Sequence, residues 1–129
     1  MLVVDASVVA AALGDDAGDG DRARSRLRGE ILTAPELLDL EVASVLRRQV
    51  ASGAMAARRA ELALVDLAEL PLQRVPHRGL IDRCWQLRDN VSIYDAADVA
   101  LAEAIGADLL TADGRLARAP ALKCRIEVL

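Results

Sequence analysis

Short apolar segments that alternate with longer helix-forming stretches are the feature that most limits the fold of this chain. Three of them have the composition of buried strands, namely Leu2–Val4, Ile31–Thr33 and Asp108–Thr111. Two weaker candidates are Leu72–Val75 and Arg125–Leu129. Buried strands separated by helices are typical of a mostly parallel sheet with helices on both faces. The sequence therefore predicts a single α/β domain over residues 1–129.

The helix-forming stretches lie between these strands. A helix is expected to begin near Ser7, and four longer ones are expected over residues 35–53, 54–70, 77–90 and 92–105. Residues Gly14–Asp21 are rich in glycine and aspartate, a composition that favours a mobile loop.

Charge and composition exclude several classes of protein. Sixteen basic residues against 20 acidic ones give a net charge of −4, which argues against a general coat for nucleic acids. Cys84 and Cys124 are too few for a zinc ribbon or a disulfide framework. The longest apolar run, Val8–Leu13, is far shorter than the roughly 20 residues that span a bilayer. We therefore expect a cytoplasmic protein without a membrane segment.

Two aspartates directly follow predicted strands. Asp5 comes after Leu2–Val4, and Asp113 comes shortly after Asp108–Thr111. Groups just past the carboxyl ends of parallel strands line the ligand crevice of such sheets. Two structural roles explain the same residues, a helix cap for Asp5 and an Asp-Gly turn with Gly114 for Asp113.

Glu41 falls within the apolar stripe of its predicted helix. At about 100° per residue, the side chains of Leu37, Leu38 and Val45 point to the same side as that of Glu41. An unpaired carboxylate on that side costs several kcal/mol. An ion pair with Arg48 is one explanation, and a role in a cation site is the favoured one.

Asp95 and Asp98 lie one turn apart on the last long helix. A capping box with Ser92 is a sufficient explanation for Asp95 taken alone. If the strands that end at Asp5 and Asp113 are neighbours, however, those two residues, Glu41 and Asp95 converge on one place. At about 6 Å and an effective dielectric constant near 20, each like-charged pair costs roughly 3 kcal/mol, so the cluster needs a cation. Oxygen ligands without histidine or cysteine suit Mg²⁺ or Mn²⁺ rather than zinc.

Four segments in order give the chain a family resemblance. They are LVVDAS at residues 2–7, PELLDLEV at 35–42, YDAA at 94–97 with VALAE at 99–103, and LLTAD at 109–113. With them the chain resembles a PIN-domain ribonuclease, and more closely the VapC-type toxins of bacterial toxin–antitoxin pairs. The resemblance implies a five-stranded sheet of order 3-2-1-4-5, which places Asp5 beside Asp113.

The resemblance also implies which residues form the site. Asp5, Glu41, Asp95 and Asp113 would be the acidic metal site, with Mg²⁺ or Mn²⁺ as cofactor and Glu41 binding directly or through water. Ser7 and Thr111 match hydroxyl positions near that site. Asp98 departs from the family pattern, in which an aromatic or aliphatic residue is common, and is either an outer-shell ligand or a solvent-exposed substitution.

The function implied is metal-dependent hydrolysis of RNA phosphodiester bonds by a toxin, through one or two ions. Its partners would be an RNA substrate and a small VapB-type antitoxin. Residues 35–70 carry more apolar side chains than one buried face requires, which fits an antitoxin helix or a homodimer interface. Tyr94 is a candidate for stacking on a base, whereas Trp85 is expected in the core.

Three other interpretations remain. A receiver-like phosphoacceptor domain has a similar length and an acidic pocket, but paired acids after the first strand are usual there, and Ala6 follows Asp5. A haloacid-dehalogenase-like phosphatase needs a second aspartate where this chain has Ser7. A catalytically inactive PIN module that only binds a partner would keep the architecture. A metal-free ribonuclease with paired histidines is excluded, because His77 is the only histidine.

Overall fold

The sheet has the predicted strand order. The computed structural model describes residues 1–129 and contains five strands, all of which pair in parallel in the order β3-β2-β1-β4-β5. The strands are β1 (Leu2–Val4), β2 (Leu32–Pro35), β3 (Leu72–Val75), β4 (Asp108–Thr111) and β5 (Ile126–Val128). Flavodoxin-like folds, which include receiver domains, have the order 2-1-3-4-5. The receiver interpretation is therefore wrong.

Seven helices cover the two faces of the sheet. They are α1 (Ala6–Gly14), α2 (Gly18–Leu27), α3 (Leu38–Ala51), α4 (Ala57–Glu69), α5 (Ile81–Gln86), α6 (Ile93–Ile105) and α7 (Gly114–Ala117). Successive residues of a strand point to opposite faces. Leu2 and Val4 accordingly pack with α1, α3 and α4, whereas Val3 packs with α5 and α6. None of the helices is both long and apolar enough to span a lipid bilayer.

The helix expected to begin at Pro35 begins at Leu38 instead, because Pro35 is the last residue of β2. A proline usually interrupts a sheet by removing a donor. Here the backbone N–H that bonds the Val75 carbonyl is that of Glu36, at 2.9 Å. The missing N–H of Pro35 therefore leaves this part of the sheet intact, and α3 starts only after the strand has ended.

The glycine-rich segment is not the loop expected from its composition. Helix α1 continues to Gly14 and α2 begins at Gly18, so only three residues connect them. Gly20 lies directly against the backbone of Asp15, where a Cβ atom would be 1.8 Å from the carbonyl oxygen. Arg24 also donates to the Ala12 and Asp15 carbonyls, at 2.9 and 2.8 Å. The glycine thus serves close packing rather than mobility.

Gly20→Ala is expected to lower the free energy of unfolding by about 1–3 kcal/mol, the range typical of overpacking. The added methyl group would force α2 away from the end of α1. Urea denaturation measures the effect. Gly18→Ala is the matched control, because a Cβ atom there meets nothing within 4 Å. Equal midpoints for the two variants would contradict the close-packing role of Gly20.

The helix expected over residues 77–90 is shorter and interrupted. A 3-10 turn at Arg78–Leu80 precedes α5. Cys84 and Leu87 point into the core, whereas Trp85 is 62% exposed with the Arg88 guanidinium 4.5 Å above its ring. The core position expected for Trp85 is therefore wrong, because Trp85 lies one turn after exposed Ile81, on the side of the segment away from Cys84 and Leu87.

Candidate active site

Asp5 is held at the end of β1 by two kinds of hydrogen bond. Its Oδ1 accepts the backbone N–H groups of Ser7 and Val8, at 3.1 and 3.3 Å, so the carboxylate caps α1 as its sequence position suggested. The hydroxyl groups of Ser7 and Thr111 also donate to Asp5. The carboxylate is buried and its orientation is determined by four donors.

Ser7 and Thr111 connect this carboxylate to the end of β4. The Ser7 hydroxyl accepts the backbone N–H of Ala112 at 3.1 Å, and the Thr111 hydroxyl accepts that of Asp113 at 3.0 Å. Because β1 and β4 are adjacent, with Val4 opposite Leu110, these bonds join the carboxyl ends of the two strands. The hydroxyls assigned by resemblance thus act as supports for Asp5.

Glu41 lies in the first turn of α3, half-buried at the same edge of the sheet. Burial raises its pKa to about 7, and the carboxylates of Asp95 and Asp5 add to the shift. The ion pair with Arg48 considered from the sequence is not formed. Arg48 instead donates to the Ser44 hydroxyl, at 3.1 Å. Glu41 therefore has no cationic partner, and its charge is destabilised by other acids.

Helix α6 contributes the next carboxylate, Asp95. Ser92 caps this helix, its hydroxyl accepting the Asp95 backbone N–H at 3.1 Å. The Asp95 side chain nevertheless lies in the shared cleft rather than acting only in the cap. Burial raises its pKa, and the nearby Asp5 and Asp113 raise it further, whereas the Ser92 side chain and the Arg115 charge lower it.

Asp98 lies one turn further along α6 and is only 3% exposed. The solvent-exposed position considered for it from the sequence is therefore wrong. Its alanine and valine neighbours on α6 are buried, and Asp98 lies on the same inner side of the helix. Burial raises its pKa well above the usual range, and Asp5, Glu41 and Asp95 act in the same direction.

Asp113 follows β4 and caps α7, with its side chain turned toward Arg115. Its Oδ1 accepts the Arg115 backbone N–H at 2.9 Å, and the guanidinium bonds both carboxylate oxygens at 3.2 and 3.1 Å. These hydrogen bonds hold the pKa of Asp113 below its usual value. The Arg115 side chain is 85% exposed, so this ion pair is a weak one.

These acids line one cleft of about 550 Å³ at the carboxyl edge of the sheet. Ser7 lines the cleft as well. The structure brings together all five acids considered from the sequence, namely Asp5, Glu41, Asp95, Asp98 and Asp113. Thr111 is sealed beneath them. As the side chains stand, no three of them form a ready-made group of metal ligands. The carboxylate of Asp5 accepts hydrogen bonds from hydroxyl and backbone N–H groups, and that of Asp113 accepts them from Arg115.

The chemistry of this donor set fits a hard divalent cation. All the donors are oxygens, and the acids other than Asp113 have no cationic side chain bonded to them. Neighbouring carboxylates without cationic partners repel one another and raise one another's pKa. A bound Mg²⁺ or Mn²⁺ ion offsets that repulsion. Rotation of the Asp113 side chain away from exposed Arg115 would complete the set.

The wall of the cleft contains two further groups. Tyr94 is 59% exposed and lines the cleft beside Asp95, which agrees with the accessible position expected for a stacking residue. Arg48 also lines it, on the same face of α3 as Glu41. The sequence suggested Arg48 only as an ion-pair partner of Glu41, and its place in the cleft wall was missed.

Comparison with known proteins identifies the family. A family model for the PIN domain matches residues 2–122. Ribonuclease VapC1 of Mycobacterium tuberculosis is 46% identical over 127 residues, which cover 98% of this chain and 96% of that protein.

Two solved structures have the same fold. Mycobacterium tuberculosis VapC20, a sarcin–ricin loop cleaving toxin, matches with a TM-score of 0.73 at 16% identity, over 92% of this chain and 94% of that one. A chain of VapBC2 from Rickettsia felis, bound to a DNA fragment from its promoter, matches with a TM-score of 0.66 at 10% identity, over 98% and 97%. The fold, the PIN-domain match and the similarity to VapC1 agree, and the chain belongs to the PIN-domain family and, within it, to the VapC proteins.

Proposed function

We propose that this protein is a metal-dependent endoribonuclease and the toxin of a toxin–antitoxin pair. One observation carries the proposal: Asp5, Glu41, Asp95 and Asp113 meet in a single open cleft at the carboxyl edge of the sheet. Its relative VapC1 is named a ribonuclease, and VapC20, which shares its fold, is a toxin that cleaves the sarcin–ricin loop. RNA hydrolysis is the activity that these names and this chemistry have in common.

Asp5, Asp95 and Asp113 would be the principal ligands of Mg²⁺ or Mn²⁺, and Glu41 would bind directly or through water. When bound, such an ion lowers the pKa of a water ligand and neutralises charge on the scissile phosphate. The hydroxyls of Ser7 and Thr111 already orient Asp5. Four carboxylates suffice to hold either one ion or two.

Two side chains of the cleft wall would position RNA. Arg48 has no carboxylate partner, so its guanidinium is available to a phosphate group. Tyr94 is exposed next to Asp95, where its ring would stack on an unpaired base near the scissile bond. Both lie in the wall of the same cleft as the acids, which is the placement that cleavage of a single-stranded loop requires.

The surface of α3 and α4 would bind a VapB-type antitoxin. Both helices expose large apolar side chains to solvent, namely Leu40, Leu62, Leu64 and Val65. Leu40 also lines the acidic cleft, so a partner on this surface would lie beside the active site. A homodimer would use similar exposed side chains. A VapBC assembly with this fold supports the proposal of a protein partner.

Thr111→Val is expected to weaken Mn²⁺ binding by about 10- to 100-fold, the usual effect of removing a group that orients a metal ligand. Valine removes the hydroxyl that donates to Asp5 and accepts the Asp113 N–H. Isothermal titration with Mn²⁺ measures the change. Thr111→Ser keeps the hydroxyl and is the matched control. Wild-type affinity in the valine variant would contradict a supporting role for Thr111.

RNA cleavage by the purified full chain tests the proposed function. The protein, free of antitoxin, is incubated with structured RNAs in Mg²⁺, in Mn²⁺ and in EDTA. We expect discrete cleavage products with either ion and none in EDTA. Binding of RNA or of a protein partner without cleavage under any condition would favour the inactive PIN module instead.

A further inference from the structure

Asp98 is a buried carboxylate for which the fold provides no partner. It lies on α6 one turn after Asp95 and is 3% exposed. Burial and the other acids are the only influences on its charge, with no hydrogen bond and no basic side chain among them. Burying an unpaired carboxylate is costly, so a position such as this one requires an explanation.

The Asp98 carboxylate is aimed into the acidic cleft. Every buried side-chain oxygen or nitrogen that is sealed from solvent has a hydrogen-bond partner in this structure. Since the Asp98 oxygens have none, they are not sealed, and the space they reach is the cleft that Asp98 lines. The side chain is therefore buried on all sides except the one that faces the other acids.

The charged neighbours of Asp98 are other acids of the cleft. The carboxylates of Asp5, Glu41 and Asp95 raise the pKa of Asp98 in addition to burial, and all three line the same cleft. From α5, the Cys84 thiol is near enough for the Asp98 charge to raise its pKa, after burial. Asp98 therefore shares the cleft with the three acids that raise its pKa.

We propose that Asp98 is a fifth carboxylate donor to the cation site. The inference rests on the proposed function. Divalent ions that prefer oxygen take six or more ligands, so four carboxylates leave coordination positions for another donor. A fifth acid also makes the site more negative and strengthens its attraction for a divalent ion. The unsatisfied oxygens of Asp98 then acquire the partner that the protein alone does not supply.

A titration of the full chain with Mn²⁺ tests this role. Binding is measured as the loss of the free-ion signal in electron paramagnetic resonance. The variants are Asp98→Asn, which keeps the size of the side chain, and Asp98→Leu, which suits the buried surroundings. Asp82→Asn is the matched control, because Asp82 is an exposed acid on α5 outside the cleft. We expect both Asp98 variants to bind Mn²⁺ about tenfold more weakly or worse, with the control unchanged.

Melting in EDTA completes the experiment. We expect Asp98→Leu to melt at or above the wild-type temperature without metal, so that its weaker Mn²⁺ binding does not reflect a damaged fold. Mn²⁺ affinities within twofold of the wild type in both Asp98 variants would overturn the proposal, whatever their melting temperatures. If the wild type bound Mn²⁺ and cleaved RNA in that case, only the role of Asp98 would be lost. A wild type that bound no Mn²⁺ would overturn the proposed function as well.

Discussion

Asp5→Asn is expected to reduce metal-dependent RNA cleavage by about 10²- to 10³-fold, the size typical of removing one electrostatic group from an active site. Asparagine retains one acceptor oxygen for the Ser7 and Val8 N–H groups, and it caps helices as well as aspartate does. It loses the negative charge and replaces one carboxylate oxygen by an amide nitrogen, which does not bind a cation. A single-turnover assay with labelled RNA in Mn²⁺ measures the loss.

Melting temperatures of the Asp5 variants show whether a loss of RNA cleavage reflects the lost charge or a damaged fold. Because the cap is retained, we expect Asp5→Asn to melt close to the wild type in EDTA. Asp5→Ala removes the cap too, and should cost about 1 kcal/mol of stability in addition to activity. Asp108→Asn is the control for charge, since Asp108 lies at the opposite end of β4 and pairs with exposed Arg125. Wild-type cleavage by Asp5→Asn would show that the activity comes from a contaminating nuclease or another site.

The strands and the acids that follow them could be predicted because both signals are local. The apolar runs before Asp5 and Asp113 show where each strand ends without any knowledge of the rest of the fold. Their adjacency could not be obtained in this way, because strand order depends on contacts between distant segments. From the residues alone, Asp5 and Asp113 were expected to meet only if their strands are neighbours. The family resemblance supplied the strand order that places β1 beside β4.

What the sequence did not predict depends on tertiary contacts. Composition favours a loop around Gly20, but the close approach to the Asp15 carbonyl that requires glycine comes from another helix. Trp85 was misplaced because the buried side of its helix contains Cys84 and Leu87, whereas Ile81 and Trp85 lie together on the exposed side. The orientation of Asp113 toward Arg115 is a side-chain choice that spacing does not encode.

Without a divalent cation, the protein is expected to lose stability as the pH rises from about 4.5 to about 7. Glu41 has a pKa of about 7 in the folded chain against an ordinary value of 4.5. The folded state therefore holds a proton in this window that the unfolded state has released. The resulting stability is fully present below pH 4.5 and is lost as the pH passes through 7. Asp95 and Asp98, whose pKa values burial also raises, act in the same direction.

Acids that are paired with arginine behave in the opposite way. Burial raises the pKa of Glu103, but its hydrogen bonds outweigh burial and the net pKa is lowered, as Arg26 lowers that of Glu127. The contribution of both acids to stability therefore rises with pH and is complete by about pH 4.5. Between about pH 4.5 and pH 7, the change in the free energy of unfolding therefore reports on the acids of the cleft. One group contributes at most about 1.4 kcal/mol per pH unit, and the partial exposure of Glu41 makes its share smaller.

Urea denaturation in EDTA at several pH values measures this decline, and Glu41→Gln should make it less steep because glutamine does not titrate. Glu36→Gln is the matched control, since Glu36 is exposed just before α3 and does not line the cleft. Millimolar Mg²⁺ should restore stability near pH 7 in the wild type, because the cation replaces the protons that hold the acids together. A decline of equal steepness in Glu41→Gln and Glu36→Gln would assign the titration to groups other than Glu41. Stability that Mg²⁺ leaves unchanged near pH 7 would mean that the acids converge without binding the ion.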